Sequence, residues 1–99
     1  MAQVAPHDIE YIRHWIDLRL ARLPAYWEDL PEIVATANAA EDAEALDYIE
    51  EWRHLESQRL QLDHYAMLGL LTSEQQVQYQ AFQQLVERHE SLLRQLLNL

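Results

Sequence analysis

The stretch YIEEWRHLESQRLQLDHYAM, residues 48–67, decides the fold, because it places charged residues in the middle of an apolar helix face. At about 100° per residue, the apolar side chains of a helix over this stretch span one arc of roughly 160°. Glu56, Arg59 and Asp63 fall at the centre of that arc. Their spacing along the helix places Arg59 within reach of both carboxylates. Unpaired charges would be very costly to bury, so the sequence predicts a charged trio that neutralises itself.

This stretch belongs to helix 3, the first of two long helices in the C-terminal half. Asn38 followed by Glu41 is a capping-box pattern, and it predicts where helix 3 begins. Gly69 is the only glycine of the chain and suits the left-handed residue that follows a helix. Thr72 and Gln75 repeat the capping-box pattern, so helix 4 begins within a few residues and continues to the C-terminus. A connection this short predicts an antiparallel hairpin of helices 3 and 4.

Folding the chain about this turn gives an approximate register for the two helices. Asp63 then faces Gln78, and Arg59 faces Phe82, on which its guanidinium is expected to stack. His89 falls within the same apolar arc of helix 4. The predicted buried polar seam therefore consists of Glu56, Arg59, Asp63, Gln78 and His89.

Two shorter helices precede the hairpin. Apolar residues at helical spacing predict helix 1 over residues 6–23. Pro24 and Pro31 then interrupt the chain, and the residues between them predict a short turn or a single helical turn. Asp29 begins another capping-box pattern, which opens a short helix 2 that ends near Ala37.

Together these elements predict an all-α fold. Its 99 residues, 49% of them apolar, suit a single helical domain over residues 1–99. We expect a small bundle built on the long antiparallel helix 3–helix 4 hairpin, with a shorter N-terminal helix and a short second helix. Because helix 2 is too short to cover the whole polar seam, the pattern also favours a homodimer.

The net charge of −10 is concentrated in the middle of the chain, where residues 28–56 contain ten acidic residues and only Arg53 as a base. Such a surface repels phosphate backbones, which excludes direct nucleic-acid binding, and attracts a basic protein surface. A solvated face that keeps the protein soluble is the alternative. The predicted partner-binding residues are Tyr26, Trp27, Glu28, Asp29, Glu32, Glu41, Asp42, Glu44, Asp47 and Glu51.

These features favour a non-enzymatic protein interaction module without a cofactor. The chain has no cysteine, which excludes a cysteine nucleophile and a thiolate metal site. Adaptor, inhibitor and antitoxin-like roles fit equally well, and an acidic face that imitates nucleic acid is a special case. No apolar run approaches the roughly 18 to 20 residues that span a membrane, and no basic stretch leads into an apolar one at the start. The expected location is therefore the cytoplasm.

A metal-binding function is the alternative. Glu51 and His54 are three residues apart, and this Glu-x-x-His spacing resembles the ligand motif of ferritin-like di-iron bundles. The resemblance covers four residues and implies that Glu51 and His54 are metal ligands. Those bundles need further inward-facing ligands, so the site would be completed across a dimer.

Overall fold

The computed structural model describes residues 6–98, and these residues form four α-helices without a strand. The helices are α1 (Pro6–Glu28), α2 (Leu30–Ala39), α3 (Asp42–Met67) and α4 (Ser73–Leu97). The described chain is 48 Å long and 21 to 23 Å across. The predicted all-α bundle is therefore confirmed. None of the four described helices is both long and apolar enough to cross a membrane.

Helices α1 and α2 lie one after the other along α4, and α3 also packs against both of them. Gln75, at the start of α4, is hydrogen-bonded to Asp17 of α1. Further along both helices, Phe82 of α4 contacts Trp27 near the end of α1, with ring centroids 6.3 Å apart. Helix α4 therefore runs parallel to α1.

Helix α3 runs in the opposite direction to α1. Trp15 packs edge-on against Tyr65, with ring centroids 5.5 Å apart, and Trp27 packs against Trp52 at 5.6 Å. Because later residues of α1 meet earlier residues of α3, the two helices are antiparallel. It follows that α3 and α4 form an antiparallel hairpin, with α1 and α2 packed along it.

Helix α1 continues through Pro24 to Glu28, so the predicted end of helix 1 near Leu23 is wrong, and the residues between the two prolines are helical apart from Asp29. Only Asp29 separates α1 from α2, and backbone hydrogen bonds cross it. Asp29 N–H donates to the carbonyl of Ala25 at 3.2 Å, and Ile33 N–H donates to the carbonyl of Asp29 at 3.1 Å. A proline inside a helix costs about 3 kcal/mol, through a lost hydrogen bond and a steric clash. Here the continued helix buries Trp27 completely, and this burial offsets the cost.

One apolar stripe passes through both prolines without interruption. Its residues are spaced alternately by four and three positions, as in a heptad repeat. They are Ile16, Leu20, Leu23, Trp27, Leu30, Val34 and Ala37, all of which are buried. Because α1 and α2 together cover the hairpin, the short length of helix 2 is no longer a reason to expect a homodimer. The homodimer itself stays a prediction.

Of the three predicted capping boxes, only the one at α4 forms. The N-cap residues of α2 and α3, Asp29 and Glu41, make no side-chain cap hydrogen bond, so the boxes expected at Asp29 and Asn38 are wrong. At α4, Thr72 Oγ1 accepts a hydrogen bond from Gln75 N–H, and Gln75 Oε1 accepts one from Thr72 N–H. This box satisfies two backbone donors and defines the start of α4.

The turn between α3 and α4 depends on Gly69, whose φ of +73° is accessible to glycine at little cost. Gly69 N–H donates to the carbonyl of Ala66, and Leu70 N–H donates to the carbonyl of Tyr65. These two bonds form a Schellman motif, which satisfies the last carbonyls of α3. Arg13 Nε also donates to the carbonyl of Leu70 at 2.9 Å, so α1 holds the turn in place.

Candidate functional site

Arg59 pairs with both carboxylates of the charged trio, in the arrangement that the helix spacing predicts. Arg59 Nε donates to Glu56 Oε2 at 2.8 Å, Nη2 donates to Oε1 of the same carboxylate, and Nη1 donates to Asp63 Oδ2 at 3.2 Å. The side chains of Arg59 and Glu56 are each 20% exposed, and that of Asp63 is 31% exposed. The hydrogen bond to Glu56 raises the pKa of the Arg59 guanidinium above its ordinary value. The trio is therefore a half-buried, self-neutralised layer.

The aromatic partner of Arg59 is Trp27, although the predicted register placed Phe82 there. The guanidinium carbon lies 5.8 Å from the centroid of the Trp27 ring. Trp27 is completely buried, so it cannot contact a partner, and its inclusion among the predicted partner-binding residues is wrong. Tyr26, its neighbour, keeps 42% of its surface exposed. Trp27 thus connects the charged trio to the apolar core.

The rest of the predicted polar seam is not assembled. Gln78 is exposed, so its place in a buried seam is wrong. The register differs from the prediction by one residue, and Tyr79 meets Asp63 instead, with its hydroxyl donating to Asp63 Oδ1 at 2.5 Å. His89 is half-buried and makes no hydrogen bond to the trio among residues 6–98. The charged layer therefore consists of the trio and Tyr79.

The environment of Tyr79 predicts a loss of stability in alkaline solution. Burial, followed by the hydrogen bond to Asp63, raises the pKa of the Tyr79 phenol above its ordinary value of 10.0. In the unfolded chain the phenol ionises near that ordinary value, while in the folded chain it stays protonated. Its contribution to stability is therefore complete below about pH 10 and decreases as the pH rises further.

We expect Tyr79→Phe to lose less stability than the wild type between about pH 10 and pH 12, because phenylalanine does not ionise. Urea unfolding at a series of pH values measures this difference. Tyr11→Phe is the control, since Tyr11 is 73% exposed and should leave the alkaline slope unchanged. Equal slopes for the wild type and Tyr79→Phe would contradict the assignment.

Gln75 has a structural role that sequence reasoning missed. Its side chain is only 3% exposed, and Nε2 donates to the carbonyl of Arg13 at 2.9 Å and to Asp17 Oδ1 at 2.7 Å. The capping pattern by itself accounts for a glutamine at this position and does not indicate a tertiary contact. The sequence signal for a buried Gln75 is its position seven residues before Phe82, because residues seven apart lie on the same face of a helix.

The acidic residues of the predicted partner-binding set are all exposed, and none forms an ion pair with another described residue. They are Glu28, Asp29, Glu32, Glu41, Asp42, Glu44, Asp47 and Glu51. Asp42 and Glu44 lie in the first turn of α3, where they complement the helix dipole. Apart from that contribution, their carboxylates are free to interact with molecules outside the chain.

An apolar groove lies beside these carboxylates, at the corner where α2 ends and α3 begins. We call it the acidic groove; its volume is about 410 Å³. It is lined by Ala37, Asn38, Ala40, Asp42, Ala45, Leu46 and Ile49. Leu46 is 55% exposed, which leaves an apolar side chain in contact with water next to negative charges. Asp42 contributes a carboxylate to the lining, and Glu41, Glu44 and Asp47 are each next to a lining residue in the chain. These four residues are the acidic rim of the groove.

The two residues of the metal-binding alternative are both exposed on α3. His54 Nε2 lies 3.0 Å from Gln58 Nε2, with which it shares a hydrogen bond. In the part of the chain that the structure describes, no three His, Cys, Asp or Glu side chains are grouped so that they could hold a metal ion. The arrangement of Glu51 and His54 therefore gives the ferritin-like alternative no support.

Comparison of the chain with protein-family models, with curated proteins and with solved structures finds no match. The fold and the surface of this chain are therefore the only basis for a functional conclusion. The acidic groove combines a concave shape, an exposed apolar side chain and a carboxylate in its lining, and these properties suit the binding of another molecule.

Proposed function

We propose that the protein is a non-enzymatic interaction module whose acidic groove binds a basic segment of another protein. The observation that carries this proposal is the combination of an exposed apolar residue, Leu46, with exposed carboxylates at and beside the groove that form no ion pair with residues 6–98. A partner segment with lysine or arginine around one apolar anchor is complementary to both features.

The fold makes little use of the carboxylates around the groove, which supports a role in binding. Glu41 occupies the N-cap of α3, yet its side chain makes no cap hydrogen bond. Asp47 lies beyond the first turn of α3, where the dipole has little influence. A concentrated acidic surface accelerates the approach of a basic partner, and salt weakens this attraction.

The proposal covers adaptor, inhibitor and antitoxin-like roles, which share this mode of binding. A partner whose basic surface otherwise binds nucleic acid is a special case, in which the acidic rim imitates a phosphate backbone. The expected cytoplasmic location and the expected homodimer belong to the same proposal.

Charge reversal around the groove tests the proposal. The variant Asp42→Lys/Glu44→Lys/Asp47→Lys and the single variant Leu46→Asp are used as baits in the native host's lysate, beside the wild type. The matched control is Glu10→Lys/Glu74→Lys/Glu87→Lys, which changes the net charge equally at exposed positions outside the groove. Captured proteins are quantified by mass spectrometry.

We expect at least one partner to be retained by the wild type and by the control, and to be reduced tenfold or more with both groove variants. Loss of a charge pair and loss of an anchor each weaken a well-formed interface by one to several kcal/mol, and 1.4 kcal/mol corresponds to tenfold. Capture of the same partners by all four baits would overturn the proposal. Equal loss with the control would show that net charge alone governs binding.

A further inference from the structure

A second groove lies between α1 and α3, and it contains a concentration of basic groups although the chain as a whole is acidic. We call it the arginine groove; its volume is about 190 Å³, and Leu23 and Leu55 contribute to its lining. Its polar lining residues are Arg19, Arg22 and Tyr26 of α1, and Glu51, His54 and Gln58 of α3. On each helix these three residues follow one another at intervals of three and four, so each helix presents one polar face.

The two arginines of the groove have no acidic partner. Neither Arg19 nor Arg22 forms an ion pair with any carboxylate of residues 6–98. The Arg19 guanidinium carbon lies 4.8 Å from the centroid of the Trp15 ring, and Arg19 Nε is buried without a hydrogen-bond acceptor in the part of the chain that the structure describes. Stacking on an aromatic ring orients a guanidinium and leaves its edge available for in-plane hydrogen bonds, the geometry in which arginine binds oxyanions.

The wall formed by α3 supplies further polar groups. His54 Nε2 and Gln58 Nε2 are 3.0 Å apart, so the amide orients the imidazole. Tyr26, across the groove on α1, adds a phenol that is able to donate a hydrogen bond. Glu51 opposes anion binding, but its single negative charge is outnumbered by the two guanidinium groups of Arg19 and Arg22.

We propose that the arginine groove binds the phosphate group of a small molecule. A phosphate group carries close to two negative charges near neutral pH, which matches the two guanidinium groups better than the single charge of a carboxylate does. The volume is below the roughly 300 to 1,000 Å³ of typical ligand pockets, so the groove accepts a phosphate group with a few attached atoms. The proposal does not depend on the acidic groove, with which the arginine groove shares no lining residue.

The acidic segment of the chain does not prevent this binding. At physiological ionic strength, charges on the surface are screened over about 8 Å, so contacts within the groove outweigh the more distant carboxylates. The carboxylate that matters is Glu51, because it lies in the groove itself. Its removal is therefore expected to strengthen binding, a result that general loss of structure would not produce.

Titration of the purified protein with inorganic phosphate, phenyl phosphate and acetate, at constant ionic strength, tests the proposal. Calorimetry measures affinity, and nuclear magnetic resonance of the arginine side-chain N–H groups locates the site. We expect saturable binding of both phosphates, a shift of the Arg19 Nε–H resonance, and binding of acetate at least tenfold weaker. The ratio of the two phosphate affinities shows whether free phosphate or a phosphate ester is the preferred form.

Four variants identify the residues responsible. Arg19→Met, which preserves packing on Trp15, and Arg22→Gln, at an exposed position, should each weaken phosphate binding about tenfold. Glu51→Gln should strengthen it about threefold, since a repulsive charge is removed at short range. Arg88→Gln is the matched control, because Arg88 is an exposed arginine on α4 outside the groove, and it should leave the affinity unchanged.

Three results would overturn the proposal. One is the absence of saturable phosphate binding to the wild-type protein. Another is binding of acetate as tight as that of phosphate, which would assign the groove to carboxylates. The third is an equal loss of affinity in Arg22→Gln and Arg88→Gln, which would attribute binding to overall charge. Far-UV circular dichroism of each variant ensures that folded proteins are compared.

Discussion

Replacement of Trp27 by alanine is expected to reduce the free energy of unfolding by about 3 to 5 kcal/mol, the cost of deleting a large aromatic side chain from a core. Trp27 is completely buried and lies at the point where three helices meet. It contacts Trp52 of α3 and Phe82 of α4, and it forms the surface beneath Arg59. Since small domains are stable by about 5 to 15 kcal/mol, Trp27→Ala should remove a large fraction of the free energy of unfolding.

Tyr26→Ala is the matched control for this prediction, because the two residues are adjacent on α1. Tyr26 is 42% exposed, so its loss should change stability by about 0.5 kcal/mol or less. Trp27→Phe should fall between the two, since Trp27 Nε1–H has no acceptor among the described residues and phenylalanine keeps much of the apolar volume. Urea unfolding followed by far-UV circular dichroism measures all three. Equal losses in Tyr26→Ala and Trp27→Ala would show that α1 does not bury Trp27.

Replacement of Arg59 by methionine is expected to cost about 2 kcal/mol. Methionine keeps most of the apolar stem, but it leaves Glu56 and Asp63 half-buried without a counter-ion. Breaking a fully buried ion pair costs about 3 to 5 kcal/mol, and an exposed pair contributes at most about 1 kcal/mol, so a half-buried trio lies between these limits. Loss of the contact with Trp27 adds to the effect.

Removal of the charges from the carboxylates should rescue this variant. In Arg59→Met/Glu56→Gln/Asp63→Asn no unpaired charge remains, and the amide that replaces the Asp63 carboxylate still offers an oxygen to the hydroxyl of Tyr79. We expect the triple variant to lie within about 1 kcal/mol of the wild type, so the three substitutions are strongly non-additive. Chemical unfolding of the single and triple variants provides the comparison. If the triple variant is less stable than Arg59→Met, the trio does not act as one neutralised unit.

The features that the sequence predicted well depend on residues close together in the chain. Arg59 reaches Glu56 and Asp63 because residues three and four positions apart share a helix face. The box of Thr72 and Gln75 forms because both partners lie within one turn. In each case the geometry of the backbone brings the groups together, whatever the rest of the protein does.

The incorrect predictions also rest on local sequence signals, such as a proline or a capping residue. At those positions, contacts with residues distant in the chain override the local signal. Pro24 is a signal to end a helix, but the stripe that continues at heptad spacing from Ile16 to Ala37 gains more by extending it. Asp29 is the N-cap of α2, but its backbone is helical and its side chain makes no cap hydrogen bond. Asn38 lies inside α2, and the N-cap of α3 is Glu41 instead. Heptad spacing across a proline was the sequence signal that should have outweighed the proline itself.

The candidate binding surfaces were predicted only in part. The sequence identified the acidic residues that surround the acidic groove, because a cluster of charges along the chain is visible without a structure. The sequence did not show that Trp27 is buried while Tyr26 is exposed. Neighbouring residues on a helix point in directions about 100° apart, and only packing decides which of them is buried. The arginine groove was not predicted, because its walls come from α1 and α3, about 30 residues apart in the chain.

The sequence by itself determined the helical fold class, the antiparallel hairpin and the pairing within the charged trio, since short spacings and one tight turn impose these features. Only the tertiary structure decided that α1 continues to Glu28, that Tyr79 replaces Gln78 beside Asp63, and that Arg59 lies over Trp27. When a helix turns about its axis by one residue position, about 100°, a different set of side chains is buried, while every hydrogen bond within the helix stays intact. Packing between helices is therefore the interaction that selects among these alternatives.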